Sequence, residues 1–349
     1  MLLCEIMSDE KKEKNAKYKI ALIINEYSKG GDYRPLINEE LYRQLDIFQK
    51  ETGLIVAVSF TRSKAHIQKA VVSLQREGYN FLIICGGDGT INDVLQHLEE
   101  GTLIIPIPGG NANDFSRRLN IFHWRDSVQI IKNIVDGSVN IIGMDVGEIS
   151  FHDKSGALQK RRFLNNCGIG VTADTVRRVE GRVDKAYLKN GFLSLMLSKA
   201  IGLTYYSKIL KKNIFVKCLG VEMLLCSRVG RYANFAPYKH ENDGTIHFII
   251  FKNLGYIKRL MLMALLSFGK RLVASGFVEY FHAHNSRPEI KDSNTFGLNL
   301  RGVKDIWGML HDRALLHVDG NLVPEFYETI QNDCSVKILP KFIKTAAPC

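Results

Sequence analysis

Residues Phe81–Asn92, FLIICGGDGTIN, constrain the fold more than any other stretch of the chain. A short apolar run passes without a linker into Gly-Gly-Asp-Gly-Thr. Such a run, bounded by glycines, has the pattern of a strand buried on both faces of a parallel sheet. Directly after it, Ile91, Val94, Leu95 and Leu98 recur at i, i+3, i+4 and i+7, one face of a helix. The glycines therefore fall on a strand-to-helix turn at the carboxyl edge of a sheet, where open α/β sheets bind ligands. Glycine lets the backbone approach an anion closely, and the free N–H groups of a helix N-terminus favour phosphate. Asp88 sets a carboxylate inside this positive nest. Its charge opposes phosphate binding unless a metal or a substrate proton requires it there, which marks the stretch as catalytic. The bland alternative is a tight turn that uses glycine for steric reasons alone. The pattern G-x-x-x-x-G-K-[ST] is absent, so the turn is not a P-loop.

The alternation of strand and helix runs through the first part of the chain. Strands are expected at Lys17–Asn25, Leu54–Phe60, Phe81–Cys85 and Leu103–Ile107. Helices are expected at Pro35–Glu51, Lys64–Glu77, Ile91–Leu98 and Asp126–Asp136, with Gly78 and Gly137 as stops. This order predicts an α/β fold with a parallel sheet and right-handed crossovers. Residues 1–16 read as a flexible arm. Near residue 138 the grammar changes to a strand-rich second domain, with strands at Val139–Ile149, Arg162–Cys167, Asn213–Leu219, Glu222–Ser227 and Thr245–Phe251. Helical stretches at Gly191–Leu210 and Leu254–Ala274 interrupt it; the apolar Gly191–Leu210 and Leu260–Phe268 are expected to lie in the core, with one of them lining a lipid-acyl entrance as the alternative. A last strand, Cys334–Leu339, is stopped by Pro340.

A second glycine turn, Pro108-Gly-Gly-Asn-Ala-Asn-Asp-Phe115, follows the fourth strand at the same sheet edge. Gly109 and Gly110 allow close approach, and Asn113 and Asp114 can cap the helix that follows. Taken alone this is an ordinary capped turn. Two glycine–aspartate turns facing one crevice point instead to a shared ligand.

Bulk properties limit the partners. The net charge of +11 and pI of about 9.2 favour anionic ones: nucleotides, nucleic acid or an acidic membrane surface. The basic clusters Lys160–Arg162, Arg177–Arg178 and Lys208–Lys212 read as solvated faces or as a docking surface for anionic lipid. No nucleic-acid recognition motif accompanies the charge, so no nucleic-acid partner is expected. Seven cysteines without a Cys-x-x-Cys pair suit a reducing cytosol and indicate neither zinc nor a redox pair. The apolar run Leu260–Phe268 is about half of what a spanning helix needs. Gly168-Ile-Gly170-Val-Thr-Ala173 fits the dinucleotide pattern but lacks a following β–α–β unit, and is set aside.

GGDGTIND and PGGNANDFSR resemble the signature of the diacylglycerol kinase catalytic family, which includes bacterial lipid kinases, sphingosine kinases and ceramide kinases. Further segments resemble the family in the same order: FLNNCGIGVTA at 163–173, APYKHENDGTI at 236–246, LHVDGNL at 316–322 and the strand at 336–340. The resemblance implies a nucleotide-binding, three-layer domain like that of NAD kinases and phosphofructokinases over 17–137. A tail at 323–343 would return to it, and 138–322 would form a β-rich, sandwich-like lipid-substrate domain. ATP would lie in the crevice between the domains. The implied phosphate cradle includes Gly86, Gly87, Asp88, Gly89, Thr90 and Asn92, with Asn25–Lys29, Thr61, Gly110, Asn111, Asn113 and Asp114 as further nucleotide contacts.

The departures bear on catalysis. The family's D-G-E is Asp319-Gly320-Asn321 here, and asparagine cannot take a proton at working pH. The base role then falls to Asp88 or Asp319. The family's D-D-G is Asn242-Asp243-Gly244, which leaves Asp243 as the candidate metal ligand. The expectation is an ATP- and Mg²⁺-dependent lipid kinase, cytoplasmic and peripheral at an anionic membrane, acting on a diacylglycerol-like or sphingoid hydroxyl. Self-association as a homodimer is left open. The alternatives are an NAD kinase-like enzyme and a nucleotide- or lipid-binding homologue with little turnover.

Overall fold

The computed structural model describes residues 18–26, 54, 56–153, 155–179, 186–207, 212–229, 233–240, 242–284, 295–301, 303–304, 310–311, 314–326 and 331–346, with positions 39, 43, 44, 46, 47, 49 and 50. The expected arm at 1–16 and most of the expected helix at 35–51 lie outside these residues. The chain divides into two compact units, Met1–Met144 with Lys341–Cys349, and Asp145–Pro340.

In the first unit, β1 (Ile20–Asn25), β2 (Val56–Thr61), β3 (Phe81–Gly86) and β4 (Leu103–Pro108) pair in parallel in the order β2-β1-β3-β4. β3 and β4 are buried at every position, which is why they read as unbroken apolar runs. Helices α1 (Lys64–Arg76), α2 (Asp88–Leu95), α3 (Asp114–Arg118) and α4 (Trp124–Asp136) follow β2, β3 and β4. Local chemistry sets their ends. The Ser63 side chain caps α1, His123 and Asp126 form a capping box on α4, and Gly137 closes α4 at φ 73°. α2 starts at Asp88, ahead of the expected Ile91, so Gly87 alone separates strand from helix.

The second unit is built on antiparallel pairs. β5 (Ile142–His152) pairs with β6 (Leu158–Phe163), and β7 (Asn166–Gly170) pairs with the long β9 (Lys212–Leu224). Helices α5 (Val171–Val179) and α6 (Ala186–Leu197) lead to β8 (Ile201–Ser207), which also pairs with β9. β10 (Thr245–Lys252) lies between β9 and β11 (Val278–His284), and helices α7 (Tyr256–Leu265) and α8 (Gly269–Ala274) connect β10 to β11. β12 (Thr295–Arg301), β13 (Leu316–Val318), β14 (Asn321–Leu322) and β15 (Gln331–Thr345) complete the order.

β10 shows how this core is organised. Ile246, Phe248 and Ile250 join a cluster with Phe163, Val221 and Met223. Ile249 and Phe251 join another with Leu219, Leu262 and Leu272, the last two from α7 and α8. Both faces of the strand are covered, and the period of two sends alternate residues to each.

Several expected elements differ. The expected strand Arg162–Cys167 is two strands, β6 and β7, turned at Leu164 and Asn165. The two expected strands at 213–227 are the single β9, because Gly220 pairs in register with Gly170 and does not break the ladder. The expected helix Gly191–Leu210 is helical only to Leu197. Thr204, Tyr205 and Tyr206 suit a strand, and pairing with β9 outweighs the helical periodicity. The expected helix Leu254–Ala274 breaks at Phe268, which holds φ −111°, ψ 63°. Pro340 does not end the last strand. Residues up to Lys337 pair antiparallel with β12, Lys341 takes φ 49°, and Lys344 then pairs in parallel with Leu103 of β4. The second unit accordingly begins at Asp145, where residue 138 was expected. The tail leaves it at Lys341, where 323 was expected.

Among the described residues no helix is long and apolar enough to cross a membrane. Arg259 of α7 ties α7 to α6: its guanidinium donates to the carbonyls of Leu195, Met196 and Ser198 at 2.9–3.0 Å, the open C-terminal acceptors of α6. Arg259→Met should lower the unfolding free energy by about 1.5–3 kcal/mol, the range for hydrogen bonds to a charged group. A urea midpoint within error of wild type would refute that role.

Candidate active site

The sheet register places the carboxyl ends of all four parallel strands on one rim. Asn25 lies opposite Thr61, Ile24 opposite Cys85, and Gly86 opposite Pro108. The two glycine turns leave this rim side by side. The Gly109 N–H donates to the Gly86 carbonyl at 2.9 Å. A methyl group added to Gly110 would stand 2.6 Å from Gly87 Cα, and one added to Gly87 would stand 2.9 Å from Gly110 Cα. The turns touch through backbone, and no side chain fits between them.

Asp88 joins the turns. One carboxylate oxygen accepts the Asp114 N–H and the other the Phe115 N–H, each at 3.0 Å. These are first-turn amides of α3, so the cap on α3 comes from Asp88. The sequence had assigned that cap to Asn113 and Asp114. Asn113 makes no cap bond to α3. It takes φ 51° and pairs with Gly110 instead, accepting from its N–H and donating to its carbonyl at 2.8 Å. Asn25 Nδ2 donates to Thr90 Oγ1 at 2.8 Å, fixing the end of β1 to α2.

The cradle residues divide by role. Gly86, Gly87, Asp88, Gly89, Thr90, Gly110, Asn113 and Asp114 gather at the paired turns, and Asn111 is exposed beside them. Thr61 is buried and its hydroxyl donates to the Ile24 carbonyl, a bond inside the sheet. Asn92 is buried, and its Oδ1 accepts from Gln96. These two hold structure behind the turns. At α2, the N-cap is Gly87, which has no side chain to satisfy the first-turn amides. Backbone donors at a glycine-capped helix start, on the carboxyl rim of a parallel sheet, fit a phosphate group.

In the second unit, Asp319 has a well-defined task. It is buried, holds φ 46°, and its carboxylate accepts the N–H groups of Leu164, Asn165 and Asn166 at 2.8–2.9 Å. It thereby clamps the 316–322 segment to the 163–173 segment and anchors a turn. Beside it lies a buried polar group that the sequence reading did not single out. Glu222, fully buried on β9, accepts from Asn166 Nδ2 and lies 3.4 Å from His317 Nε2. The one available signal was a glutamate within the apolar run GVEMLL. Asn321 Nδ2 is buried with no hydrogen-bond partner among the described residues. The Gly168–Ala173 pattern falls on β7 and α5, but β7 is antiparallel to β9 and β13, which rules out a dinucleotide β–α–β unit.

Asp243, the expected metal ligand, is engaged by an internal cation. Its Oδ1 accepts Lys239 Nζ at 2.5 Å, the Thr245 N–H at 2.9 Å and the Thr245 hydroxyl at 2.6 Å. The Lys239 side chain is 1% exposed, so this ion pair is largely shielded from water on the lysine side. Burial pushes the Asp243 carboxyl up, but bonds from Lys239 and Thr245 and the Lys239 charge outweigh it and hold it at about 2. Among the described residues no group of three or more His, Cys, Asp or Glu could hold a metal ion.

A parallel α/β sheet with two stacked glycine turns and one shared carboxylate defines an α/β domain suited to an anionic phosphate group. Residues 19–149 match the family model of the diacylglycerol kinase catalytic domain. It is 25% identical over 249 residues to a diacylglycerol kinase of Bacillus subtilis, covering 67% of this chain and 77% of that protein. It is 24% identical over 248 residues to one from Staphylococcus carnosus, covering 66% and 76%. The fold is shared with a diacylglycerol kinase crystal structure from Bacillus anthracis (TM-score 0.59, 16% identity, 95% and 98% of the chains). Yeast NADH kinase is more distant, with TM-score 0.55 and 10% identity over 95% of this chain and 84% of that one.

Two outcomes follow from the geometry. Gly110→Ala forces the turns apart and should cost about 1–3 kcal/mol, the range for overpacking, in urea unfolding. Unchanged stability would mean that the turns do not need their contact. His247 is buried beside Lys239, Asp243, His240, His282 and Tyr280. Burial first, then the Lys239 charge, lowers its pKa from 6.5 to about 4, against an opposing push from Asp243. The folded state thus favours the neutral ring. That contribution is complete above pH 6.5 and is lost as pH falls through 4. Stability should therefore drop across this window more steeply in wild type than in His247→Gln. Parallel pH profiles would contradict the assignment.

Proposed function

We propose that this chain transfers the γ-phosphoryl group of ATP to the hydroxyl of a lipid, diacylglycerol-like or sphingoid. The observation that carries the reading is the Asp88 carboxylate fixed between the two glycine turns. ATP supplies the phosphoryl group and Mg²⁺ the charge neutralisation that such transfer needs. The chain's own part is positioning. The α2 amides and the glycine backbone receive phosphate oxygens, while the α3 amides hold Asp88 rigidly at their edge. Asp319 is buried and accepts three amides, whereas Asp88 is half-buried at the turns and accepts two, so the proton of the acceptor hydroxyl is assigned to Asp88. The relatives named diacylglycerol kinase support the lipid acceptor. The basic charge supports work at an anionic membrane from the cytoplasmic side, without a nucleic-acid partner.

A second reading rests on Asn321, which stands where the family pattern has glutamate. On that reading the chain binds nucleotide or lipid with little turnover.

Labelled ATP offered with diacylglycerol, phosphatidylglycerol, sphingosine, ceramide and NAD separates these readings. Label in a lipid is expected. Label in NAD alone, or in no acceptor, would overturn the proposal. Asp88→Asn removes the negative charge and presents an amide N–H to one of the α3 amides. Turnover should fall on the order of a hundredfold or more, as when one key electrostatic partner of a transition state is lost. Wild-type turnover in Asp88→Asn would remove Asp88 from the mechanism.

A further inference from the structure

The sequence reading placed the apolar stretch Leu260–Phe268 in the core, with a lipid-acyl entrance as the alternative. Only one side of it is in the core. Leu262 of α7 and Leu272 of α8 are fully buried against Ile249 and Phe251. The other side of α7 is apolar and open: Tyr256 is 70% exposed, Ile257 76%, Leu260 47% and Met261 53%. At 100° per residue these positions lie within an arc of about 140°. Phe268, 56% exposed in the turn to α8, extends the surface. Leu197, 60% exposed at the end of α6, adjoins it through the Arg259 bonds to its neighbours.

Along the chain, the stretch that carries this surface has charge of one sign. From Thr245 to Val278 the chain carries Lys252, Lys258, Arg259, Lys270 and Arg271 and no Asp or Glu. Lys258, Lys270 and Arg271 are exposed beside the apolar arc. An exposed apolar helix face with basic flanks and no acid suits a helix lying in the plane of an anionic bilayer surface, its apolar side among the acyl chains and its cations at the headgroups.

We infer that the α7 face, with Phe268 and the flanking cations, docks the protein on an anionic lipid bilayer. The choice of lipid rests on the proposed lipid-kinase function; the surface itself does not. A second copy of the chain fits less well, because a two-fold contact through this face would bring each cationic flank toward its own copy. The helices are too short to span, so docking is parallel to the surface.

The test is co-sedimentation of the full chain with vesicles, in the absence of nucleotide. Vesicles of phosphatidylglycerol mixed with phosphatidylcholine should bind it, and pure phosphatidylcholine should bind it at least tenfold less. The double variant Ile257→Glu/Leu260→Glu alters exposed positions only and should lose vesicle binding at least tenfold. Lys270→Glu/Arg271→Glu should abolish the preference for anionic vesicles. Light scattering should give the same mass for wild type and the Ile257→Glu/Leu260→Glu variant. Undiminished vesicle binding by that variant would overturn the inference. So would a wild-type dimer that the variant converts to monomer. Transfer to a water-soluble short-chain diacylglycerol, measured separately, should keep its wild-type kcat in the variant. If no phosphoryl transfer occurs in either protein, the proposed function fails while the vesicle result still decides the docking surface.

Discussion

The pair of bonds from the Asp114 and Phe115 amides to the Asp88 carboxylate couples two helix starts across adjacent strands. Much of the site depends on that coupling. A carboxylate at the start of α2 is favoured by the helix dipole, and it also neutralises the positive end of α3. Its reach requires the turns to lie in backbone contact, which only glycine at 87 and 110 allows. Asn113 then folds back on Gly110 and holds the second turn in its left-handed bend. The start of α2 lies on the same rim, and its N-cap, Gly87, brings no side chain to the first-turn amides.

The second unit uses its acidic groups in the same way. Asp319 gathers three backbone amides, and Asp145 accepts the Gly244 N–H at 2.9 Å while its own N–H donates to Asn242. Asp243 holds a buried ammonium together with a hydroxyl and backbone amides. Asp319 and Asp145 join segments distant in sequence, Asp243 joins near neighbours from Lys239 to Thr245, and in each case the partner is a fixed donor of the protein itself. Such groups are stable because protein donors replace the water that burial removes from the carboxylate. The buried Glu222, with Asn166 and His317, follows the same rule between β7, β9 and β13.

Much of the first unit was legible in the sequence because its signals are local. Buried parallel strands read as apolar runs, α1 and α4 show their caps, and glycines mark the rim. Both glycine turns lie where the strand order put them. The second unit was harder to read. Its strands are short apolar runs that resemble helix, as at Ile201–Ser207, and its breaks depend on pairing, as at Gly220 and Phe268. Site roles were harder still. Thr61, Asn92, Asp243 and Asp319 have polar side chains that a motif offers to a ligand, yet each is bound to a protein partner. Glu222 gave almost no signal, because one acid in an apolar run has no periodicity.

The sequence by itself determined which elements form the first sheet, where its ligand-binding rim lies, and that one carboxylate sits among glycines there. These follow from hydrophobic period, capping and the conformational freedom of glycine, all properties of neighbouring residues. Only the tertiary structure decided what each polar group holds. It gave Asp88 the amides of a distant helix, and it gave Asp319 the amides of the 164–166 turn. It also left one apolar side of α7 facing outward. Those outcomes depend on distances between residues far apart along the chain, which pairing and packing set and local sequence does not encode.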